Sequence, residues 1–260
     1  MVPRLRALPT TIAAQGELIA ERDPRRPSGR LLRQAGMDAS YIDLADRRHL
    51  EFDYMRWLRI VLRGARARRV LHIGGAACAL PRALAAEDPA GHQEVCEVDP
   101  AVLEFARRHF GLRRAPGLRV RRAEGRAFLA GQPPSSWDAI VIDAFVAATV
   151  PRRLITVEAA SEIARVAPLG LINVLDDRSA RQVNAVAAAL CTAYTHVWSL
   201  GARAGNTIVV GSASALDLDP IAAAAAADPS PARLTGPVEM ARRAGGAVPF
   251  RDKGVEGAGP

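Results

Sequence analysis

The chain has 260 residues, of which 49% are hydrophobic, so it is long and apolar enough to bury a sizeable core. Its apolar runs are shorter than the roughly 18 residues that a membrane-spanning helix needs, and no apolar segment follows the N-terminal arginines as it would in a signal peptide. We therefore expect a cytoplasmic protein with no membrane partner.

The net charge of +8 invites a nucleic-acid-binding interpretation. However, Lys253 is the only lysine, and the other 34 of the 35 basic residues are arginine, a bias typical of a GC-rich genome. The densest arginine groups, residues 63–69 and 113–122, flank predicted strands and have few aromatic residues among them. We predict solvated edges there and no nucleic-acid partner.

The three cysteines, Cys78, Cys96 and Cys191, lie far apart and match no zinc-binding spacing. Their number and spacing fit a reducing compartment, and each is predicted to be a small buried hydrophobic residue. Cys78 leaves a second interpretation open, because a thiol at a helix N-terminus has a lowered pKa.

Residues 1–48 predict a small antiparallel hairpin region. Residues 16–23 and 29–36 are extended segments separated by a turn-rich Pro-Arg-Arg-Pro-Ser, and residues 39–44 follow as another strand. Residues 49–63 then carry apolar side chains at helical spacing.

Strands alternate with helices over residues 49–235. The predicted strands are 70–73, 94–98, 118–121, 138–142, 171–175, 194–199 and 207–211. The predicted helices are 79–86, 101–110, 125–130, 156–166, 179–191 and 221–227. This alternation predicts an α/β fold with a Rossmann-like, mostly parallel sheet. The last two strands are joined too closely for a crossover, so they are predicted to form the antiparallel hairpin that recurs in class I methyltransferase-type domains. Residues 236–260, rich in Gly, Pro and Ala, are predicted to be a disordered tail.

Ligands of open α/β sheets bind beyond the carboxyl ends of the strands. The first strand of the alternating region delivers Gly74 and Gly75 to that edge, which permits close approach of a ligand but equally fits a tight strand-to-helix turn. The second strand delivers Glu97, 22 residues after Gly75, close to the spacing of a ribose-binding carboxylate. Asp99, just before Pro100, is predicted to be a helix N-cap.

The next two strands deliver Glu124, followed by Gly125, and Asp143. Glu124 can accept a hydrogen bond from an adenine amino group or serve as a first-turn helix charge, and both interpretations stay open. Asp143 directly follows the apolar residues 139–142, where an unpaired carboxylate is costly, so a functional role is indicated. The sequence shows no converging set of metal ligands.

Four runs resemble spermidine synthase and its relatives, the polyamine aminopropyltransferases of the class I S-adenosylmethionine-dependent methyltransferase superfamily. These are Val-Leu-His-Ile-Gly-Gly at 70–75, Cys-Glu-Val-Asp-Pro-Ala-Val at 96–102, Ala-Glu-Gly-Arg-Ala-Phe-Leu at 123–129 and Asp-Ala-Ile-Val-Ile-Asp-Ala-Phe at 138–145. Residues 40–44 and 50–54 are similar to the family's N-terminal β region and first helix. The resemblance covers residues 15–235 and is greatest to the divergent members found in actinobacteria.

The resemblance implies a site for decarboxylated S-adenosylmethionine or S-adenosylmethionine, with methylthioadenosine as the product and no metal. The cofactor-binding residues that it implies are Gly74, Gly75, Glu97, Val98, Glu124, Gly125 and Asp143. Asp143 is also the implied catalytic residue, and the implied partners are a small amine or other small acceptor and a second copy of the chain in a homodimer.

The motifs depart from the family mainly on the acceptor side. The family's Gly-Gly-Gly-Asp-Gly reads Gly-Gly-Ala-Ala-Cys at 74–78, although the following arginine is kept as Arg82. Val146 stands at the second acidic position of the family's catalytic loop, and Ile42 and Met55 replace the Gln and His that follow two tyrosines.

Three functions therefore stay open. The first is aminopropyl transfer to an amine, with Asp143 as the base. The second is methyl or aminocarboxypropyl transfer to a less charged acceptor, in a pocket made more apolar by Val146, Ile42 and Met55. The third is non-catalytic binding of an adenosyl nucleoside.

Overall fold

The computed structural model describes residues 9–146, 148–202 and 204–254. They form a four-stranded antiparallel sheet followed by an eight-stranded, mostly parallel sheet with helices on both faces. The predicted α/β fold class is confirmed, including its antiparallel C-terminal hairpin.

The N-terminal sheet pairs its strands in chain order. They are β1 (Thr10–Gln15), β2 (Leu18–Arg22), β3 (Gly29–Gln34) and β4 (Met37–Asp43). The sequence predicts one strand where β2 lies and does not predict β1. The chain reverses at Gly16, whose φ of +56° lies in the left-handed region that glycine tolerates, so the extended residues on either side pair with each other.

The main sheet has the strand order β12-β10-β11-β9-β8-β5-β6-β7. Its strands are β5 (Arg69–Ile73), β6 (His92–Glu97), β7 (Leu118–Arg122), β8 (Ala139–Ile142), β9 (Leu169–Asp176), β10 (His196–Gly201), β11 (Gly205–Ser212) and β12 (Arg233–Thr235). Strands β5 to β9 run parallel, whereas β11 is antiparallel to β9 and β10, and β10 is antiparallel to β12. Of the eight strands of the main sheet, β12 is the one that was not predicted, because three residues are too few to show a periodicity.

The helices form one layer on each face of this sheet. They are α1 (Asp53–Gly64), α2 (Ala79–Glu87), α3 (Pro100–His109), α4 (Gly125–Ala130), α5 (Val157–Val166), α6 (Arg181–Leu190), α7 (Asp219–Ala226) and α8 (Pro237–Gly245), with short 3₁₀ turns at Arg152–Leu154 and Asp252–Gly254. Helices α1, α2, α3 and α7 share one hydrophobic core, and α4, α5, α6 and α8 share the other. Over the described part of the chain, none of the helices combines the length and the apolar character that crossing a bilayer requires.

The prediction of a disordered tail over residues 236–260 is wrong for the residues of α8. Pro237 occupies the first turn of α8, and Met240 and Ala244 are spaced one helical turn apart and buried. Phe250 then accepts a hydrogen bond from the backbone N–H of Val157, 2.9 Å away. The low average apolar content of the tail led to the wrong prediction, because it does not register a short amphipathic helix. Residues 255–260 lie outside the described residues.

Candidate functional site

The predicted site residues meet at the carboxyl edge of β5, β6, β7 and β8. Gly74 has a φ of +88°, and a Cβ atom placed on it would lie 2.3 Å from the carbonyl oxygen of Asp143. A Cβ on Gly75 would lie 2.5 Å from Cγ1 of Val95. Of the two interpretations left open, the structure shows the tight turn, because both glycines are needed for the loop to fit between its neighbouring strands.

Glu97 ties two loops of this edge together. Its Oε2 accepts hydrogen bonds from the backbone N–H groups of Gly75 and Ala76, at 3.2 and 3.1 Å, and its Oε1 accepts one from Asp99 at 3.0 Å. The side chain is buried. A carboxylate has about four acceptor positions, so about one stays available to a ligand.

The residues after Glu97 have separate roles. Val98 directly follows the buried strand β6 and is 58% exposed, which is unusual for a large apolar side chain beside a buried strand. Asp99 accepts a hydrogen bond from the backbone N–H of Ala101 at 2.8 Å, so its prediction as the N-cap of α3 is confirmed.

Glu124 is the N-cap of α4. Its two carboxylate oxygens accept hydrogen bonds from the backbone N–H groups of Arg126 and Ala127, at 3.0 and 2.7 Å. A Cβ on Gly125 would lie 2.2 Å from Cγ2 of Ile73, so glycine is needed where α4 begins against β5. The helix-terminal interpretation of Glu124 therefore describes its backbone contacts, and its Oε1 also lies 3.4 Å from Nη2 of Arg153.

Asp143 is held by side chains instead. Oδ1 accepts a hydrogen bond from Nδ2 of Asn173 on β9 at 2.9 Å, and Oδ2 accepts a longer one from the hydroxyl of Tyr54 on α1 at 3.4 Å. Burial raises the pKa of the Asp143 carboxyl to about 6. A partly buried carboxyl with this pKa changes its charge near neutral pH.

Asn173 is the site residue that the sequence interpretation missed. It is fully buried, and within the described residues its Oδ1 has no hydrogen-bond partner. A lone amide inside the apolar run 171–175 was the available signal, because a buried polar side chain needs a partner.

A cavity of about 820 Å³ lies between the N-terminal sheet and the start of α1. We call it the N-terminal cavity. Four carboxylates and two arginines are among its lining residues, which include Arg22, Asp23, Arg25, Asp38, Tyr41, Glu51, Phe52, Asp53 and Tyr54. Tyr54 connects the N-terminal cavity to Asp143, because its side chain lines the cavity and its hydroxyl donates a hydrogen bond to Asp143.

Ile42 and Met55, which were expected to make an acceptor pocket apolar, are not among the lining residues of the N-terminal cavity. Both are buried in the hydrophobic core. Successive residues of a strand point to opposite faces, so Tyr41 lines the N-terminal cavity while Ile42 packs inward. Val146 is largely exposed beyond β8.

The cysteines contribute no reactive group to this edge. Cys78 is buried, and burial raises its pKa to about 12, so the alternative of a lowered thiol pKa is wrong. Cys96 is buried as predicted, whereas Cys191 is exposed. Among the residues that the structure describes, no three His, Cys, Asp or Glu side chains are grouped to hold a metal ion.

Comparison with known proteins gives a sequence relative and close structural neighbours, while no protein-family model matches the chain. Over 121 residues, 45% of this chain, it is 33% identical to the polyamine aminopropyltransferase of Vibrio vulnificus (strain CMCP6). The structure matches a probable spermidine synthase from Corynebacterium glutamicum ATCC 13032 with a TM-score of 0.84 and 26% identity, covering 95% of this chain and 97% of that one. The resemblance to spermidine synthases is confirmed.

A second spermidine synthase, crystallised in complex with the transition-state analogue AdoDATO, shares the fold. Its TM-score is 0.64 at 17% identity, covering 95% of this chain and 83% of that one. The match to the curated aminopropyltransferase spans 40% of that relative's length, whereas the spermidine synthase structures are matched over most of theirs.

Proposed function

We propose that the chain transfers an aminopropyl group from decarboxylated S-adenosylmethionine to a small cationic amine. Asp143 accepts the proton of the attacking amine. The observation that carries this proposal is the position of Asp143: its carboxyl has a pKa of about 6 and is linked through Tyr54 to a cavity lined by carboxylates. The similarity to spermidine synthases supports the reaction class.

The residues around Glu97 fit the nucleoside end of the donor. The acceptor position left on Glu97 suits a ribose hydroxyl. The exposed Val98 supplies apolar surface beside it, which a purine ring would remove from water. Gly74, Gly75 and Gly125 keep the surrounding loops close to the sheet, and the Glu124 carboxylate lies at the next strand end.

The N-terminal cavity fits the acceptor. Its four carboxylates outnumber its two arginines, Arg22 and Arg25. Burying an ammonium group without a counter-charge costs several kcal/mol, so this lining favours a cationic amine over a neutral acceptor. For this reason we place aminopropyl transfer ahead of transfer to a less charged molecule.

The chemistry requires the amine to lose its proton, because an ammonium nitrogen has no lone pair. When bound, the donor supplies a sulfonium leaving group next to the carbon that is attacked. The amine lone pair forms the new C–N bond, the C–S bond breaks with its electrons on sulfur, and the proton goes to the Asp143 carboxylate. A carboxyl with a pKa of about 6 is mostly ionised at neutral pH and is therefore ready to accept that proton.

The test is a methylthioadenosine-release assay with decarboxylated S-adenosylmethionine and a diamine such as putrescine. We expect Asp143→Asn to lower turnover by about a thousandfold, since general base catalysis supplies 10²- to 10⁴-fold, while the affinity for methylthioadenosine changes less than a few-fold. Asp217→Asn, an exposed carboxylate outside the site, is the matched control and should keep full turnover.

Two results would replace the proposal by one of its alternatives. Label appearing in a product from the methyl group of S-adenosylmethionine would make the chain a methyltransferase. Tight methylthioadenosine binding without turnover of any amine would make it a nucleoside-binding protein, since a fold alone does not determine an activity.

The proposal also covers the oligomeric state of the protein and the cellular compartment in which it acts. By similarity to spermidine synthases we propose a homodimer in the cytoplasm. The exposed edge strand β1 of the N-terminal sheet is a surface that a second copy can cover. Light scattering at micromolar concentration measures the mass of the particle.

A further inference from the structure

A second cavity, of about 160 Å³, lies beside α2, away from the N-terminal cavity. We call it the arginine pocket. Four of its lining residues are arginines, Arg47, Arg82, Arg113 and Arg114, and the other lining residues are apolar or glycine. These arginines come from the β4–α1 connection, from α2 and from the segment between α3 and β7, so only the fold brings them together.

Arg82 is the buried member of this group. It is 9% exposed, and its Nη1 donates a hydrogen bond to the carbonyl oxygen of Phe110 at 2.7 Å. Within the described residues, no carboxylate forms an ion pair with it. Burial, together with the nearby charge of Arg47, lowers its pKa. A buried guanidinium without a counter-charge is costly, and a bound anion removes that cost.

Three other arginines with mostly buried side chains, Arg56, Arg59 and Arg126, are each paired with a carboxylate. Arg56 donates to Asp228 at 3.0 Å, and Arg126 donates to Glu162 at 2.8 Å. Arg56 and Arg126 each form several charge-assisted hydrogen bonds to their carboxylates, and Arg59 donates one to Glu87 at 3.2 Å. Arg82 therefore differs from these arginines, because its hydrogen bond goes to a backbone carbonyl oxygen and not to a carboxylate.

The remaining three arginines of the pocket point to the same kind of ligand. Arg47, Arg113 and Arg114 are exposed, and the described residues offer none of them a carboxylate at ion-pair distance. The pocket thus combines one buried and three exposed guanidinium groups with no acidic lining residue. Guanidinium groups bind oxyanions through pairs of parallel N–H donors, a geometry that matches phosphate and carboxylate.

We propose that the arginine pocket binds a small multivalent oxyanion of the phosphate type. Its volume lies well below the ~300 Å³ at which pockets for drug-sized ligands begin, so it suits a phosphate or diphosphate group and not a nucleotide. Several positive charges around one ligand favour a dianion over a single carboxylate. The burial of Arg82 favours a small ion over the backbone of a nucleic acid, which contacts exposed side chains. This inference does not depend on the proposed transfer reaction.

The experiment titrates the full chain with inorganic phosphate, diphosphate and acetate by calorimetry, at an ionic strength held constant with sodium chloride. We expect saturable binding of phosphate and tighter binding of diphosphate. Arg47→Gln and Arg113→Gln should each weaken the diphosphate affinity about tenfold, the usual effect of losing a hydrogen bond to a charged group. Arg233→Gln is the matched control, because it removes the same charge from the exposed face of β12, at the other end of the main sheet, and should leave the affinity unchanged.

Arg82→Lys tests the buried position, since it keeps the charge but loses the paired donors. If that variant does not fold, as judged by circular dichroism, the exposed variants still decide the question. The proposal is overturned if Arg233→Gln weakens binding as much as Arg47→Gln, if diphosphate binding does not saturate, or if acetate binds as tightly as phosphate. Displacement of diphosphate by single-stranded RNA at lower concentration would also overturn it in favour of a nucleic-acid surface.

Discussion

The carboxylates at the carboxyl edge of the main sheet are held in two different ways. Glu97 and Glu124 accept hydrogen bonds from backbone N–H groups, three on Glu97 and two on Glu124. Asp143 accepts hydrogen bonds from two side chains, those of Asn173 and Tyr54, and burial raises its pKa to about 6. The backbone hydrogen bonds of Glu97 and Glu124 hold the loops in place. Asp143, in contrast, is stabilised in the folded protein when its carboxylate takes up a proton.

This difference separates holding a ligand from reacting with it. Because Glu97 and Glu124 stabilise the local backbone, their removal changes the shape of the site and the stability of the chain together. Removal of the Asp143 charge abolishes its ability to accept a proton and also removes the free-energy cost of burying an ionised carboxylate. The two sides of the comparison therefore predict mutational effects of opposite sign on stability.

The largest expected effect on stability is at Asp143. A carboxyl whose pKa rises from 3.8 unfolded to about 6 folded has an ionised form that is destabilised by about 3 kcal/mol. The folded state binds this proton more tightly, so the stabilisation is complete below pH 4 and is lost as the pH rises through 6. We expect the unfolding free energy of Asp143→Asn, relative to that of the unchanged chain, to increase by about 2.5 kcal/mol between pH 4, where about half of Asp143 is already ionised in the unfolded chain, and pH 7.

Urea denaturation of the two proteins across that pH range measures the difference. All other titrating groups are shared, so they cancel in the comparison. Asp217→Asn serves again as the control, since an exposed carboxylate should show no such rise. A difference that stays constant with pH would mean that Asp143 is not destabilised when ionised, and the contrast with Glu97 would be lost.

The next largest effect is expected at Glu97, with the opposite sign. In Glu97→Gln an amide NH₂ replaces one acceptor oxygen and leaves at least one backbone donor, that of Asp99 or those of Gly75 and Ala76, without a partner. An unsatisfied buried donor costs 1–3 kcal/mol, so we expect a loss of about 2 kcal/mol in urea denaturation. Glu104→Gln, on the exposed face of α3, should lose less than about 0.5 kcal/mol. Equal losses in the two variants would show that the Glu97 hydrogen bonds do not hold the loops.

A smaller effect is expected at Glu124. Loss of an N-cap side chain costs 0.5–2 kcal/mol, so we expect Glu124→Ala to lose about 1 kcal/mol of stability. If Glu124 also contacts the donor, its affinity for methylthioadenosine falls several-fold. Asp99→Ala removes the cap of α3 at the same edge and should cost similar stability while leaving that affinity within twofold. Unchanged affinity in Glu124→Ala would restrict this residue to helix capping.

The strand ends of the site were predictable because they follow from local pattern. An apolar run that ends in Gly, Glu or Asp marks the carboxyl end of a buried strand, and parallel strands bring these ends to one edge. Helix α4 was predicted with its observed bounds, since Glu124 and Gly125 mark its start. The tail was mispredicted because composition averages over Met240 and Ala244, whose spacing is what makes α8 amphipathic.

The contacts that give the site its chemistry were not predictable in this way. Tyr54 and Asn173 lie 89 and 30 residues from Asp143 along the chain, and only tertiary packing brings them to its two oxygens. The same holds for the arginine pocket, where Arg47 and Arg113 appear in the sequence as scattered surface charges. Local periodicity predicts which face a residue occupies but not which distant residue it meets.

The smallest effect is expected at Tyr54, whose hydrogen bond to Asp143 is long at 3.4 Å and therefore weak. This bond lowers the pKa of Asp143, so its loss in Tyr54→Phe should move the pH at which Asp143 titrates upward. The rise in kcat/KM with pH and the pH dependence of stability should both shift by a few tenths of a pH unit. On the acid side of the midpoint kcat/KM should therefore fall by about two- to threefold, equivalent to roughly 0.5 kcal/mol, while at neutral pH, where Asp143 stays mostly ionised, it should change little. Tyr41→Phe is the matched control, because it removes a hydroxyl from another tyrosine of the N-terminal cavity, one that donates to Asp23 and not to Asp143, and it should leave both midpoints in place. A larger loss of kcat/KM in Tyr54→Phe with no movement of the stability midpoint would assign the hydroxyl to the acceptor amine and not to Asp143.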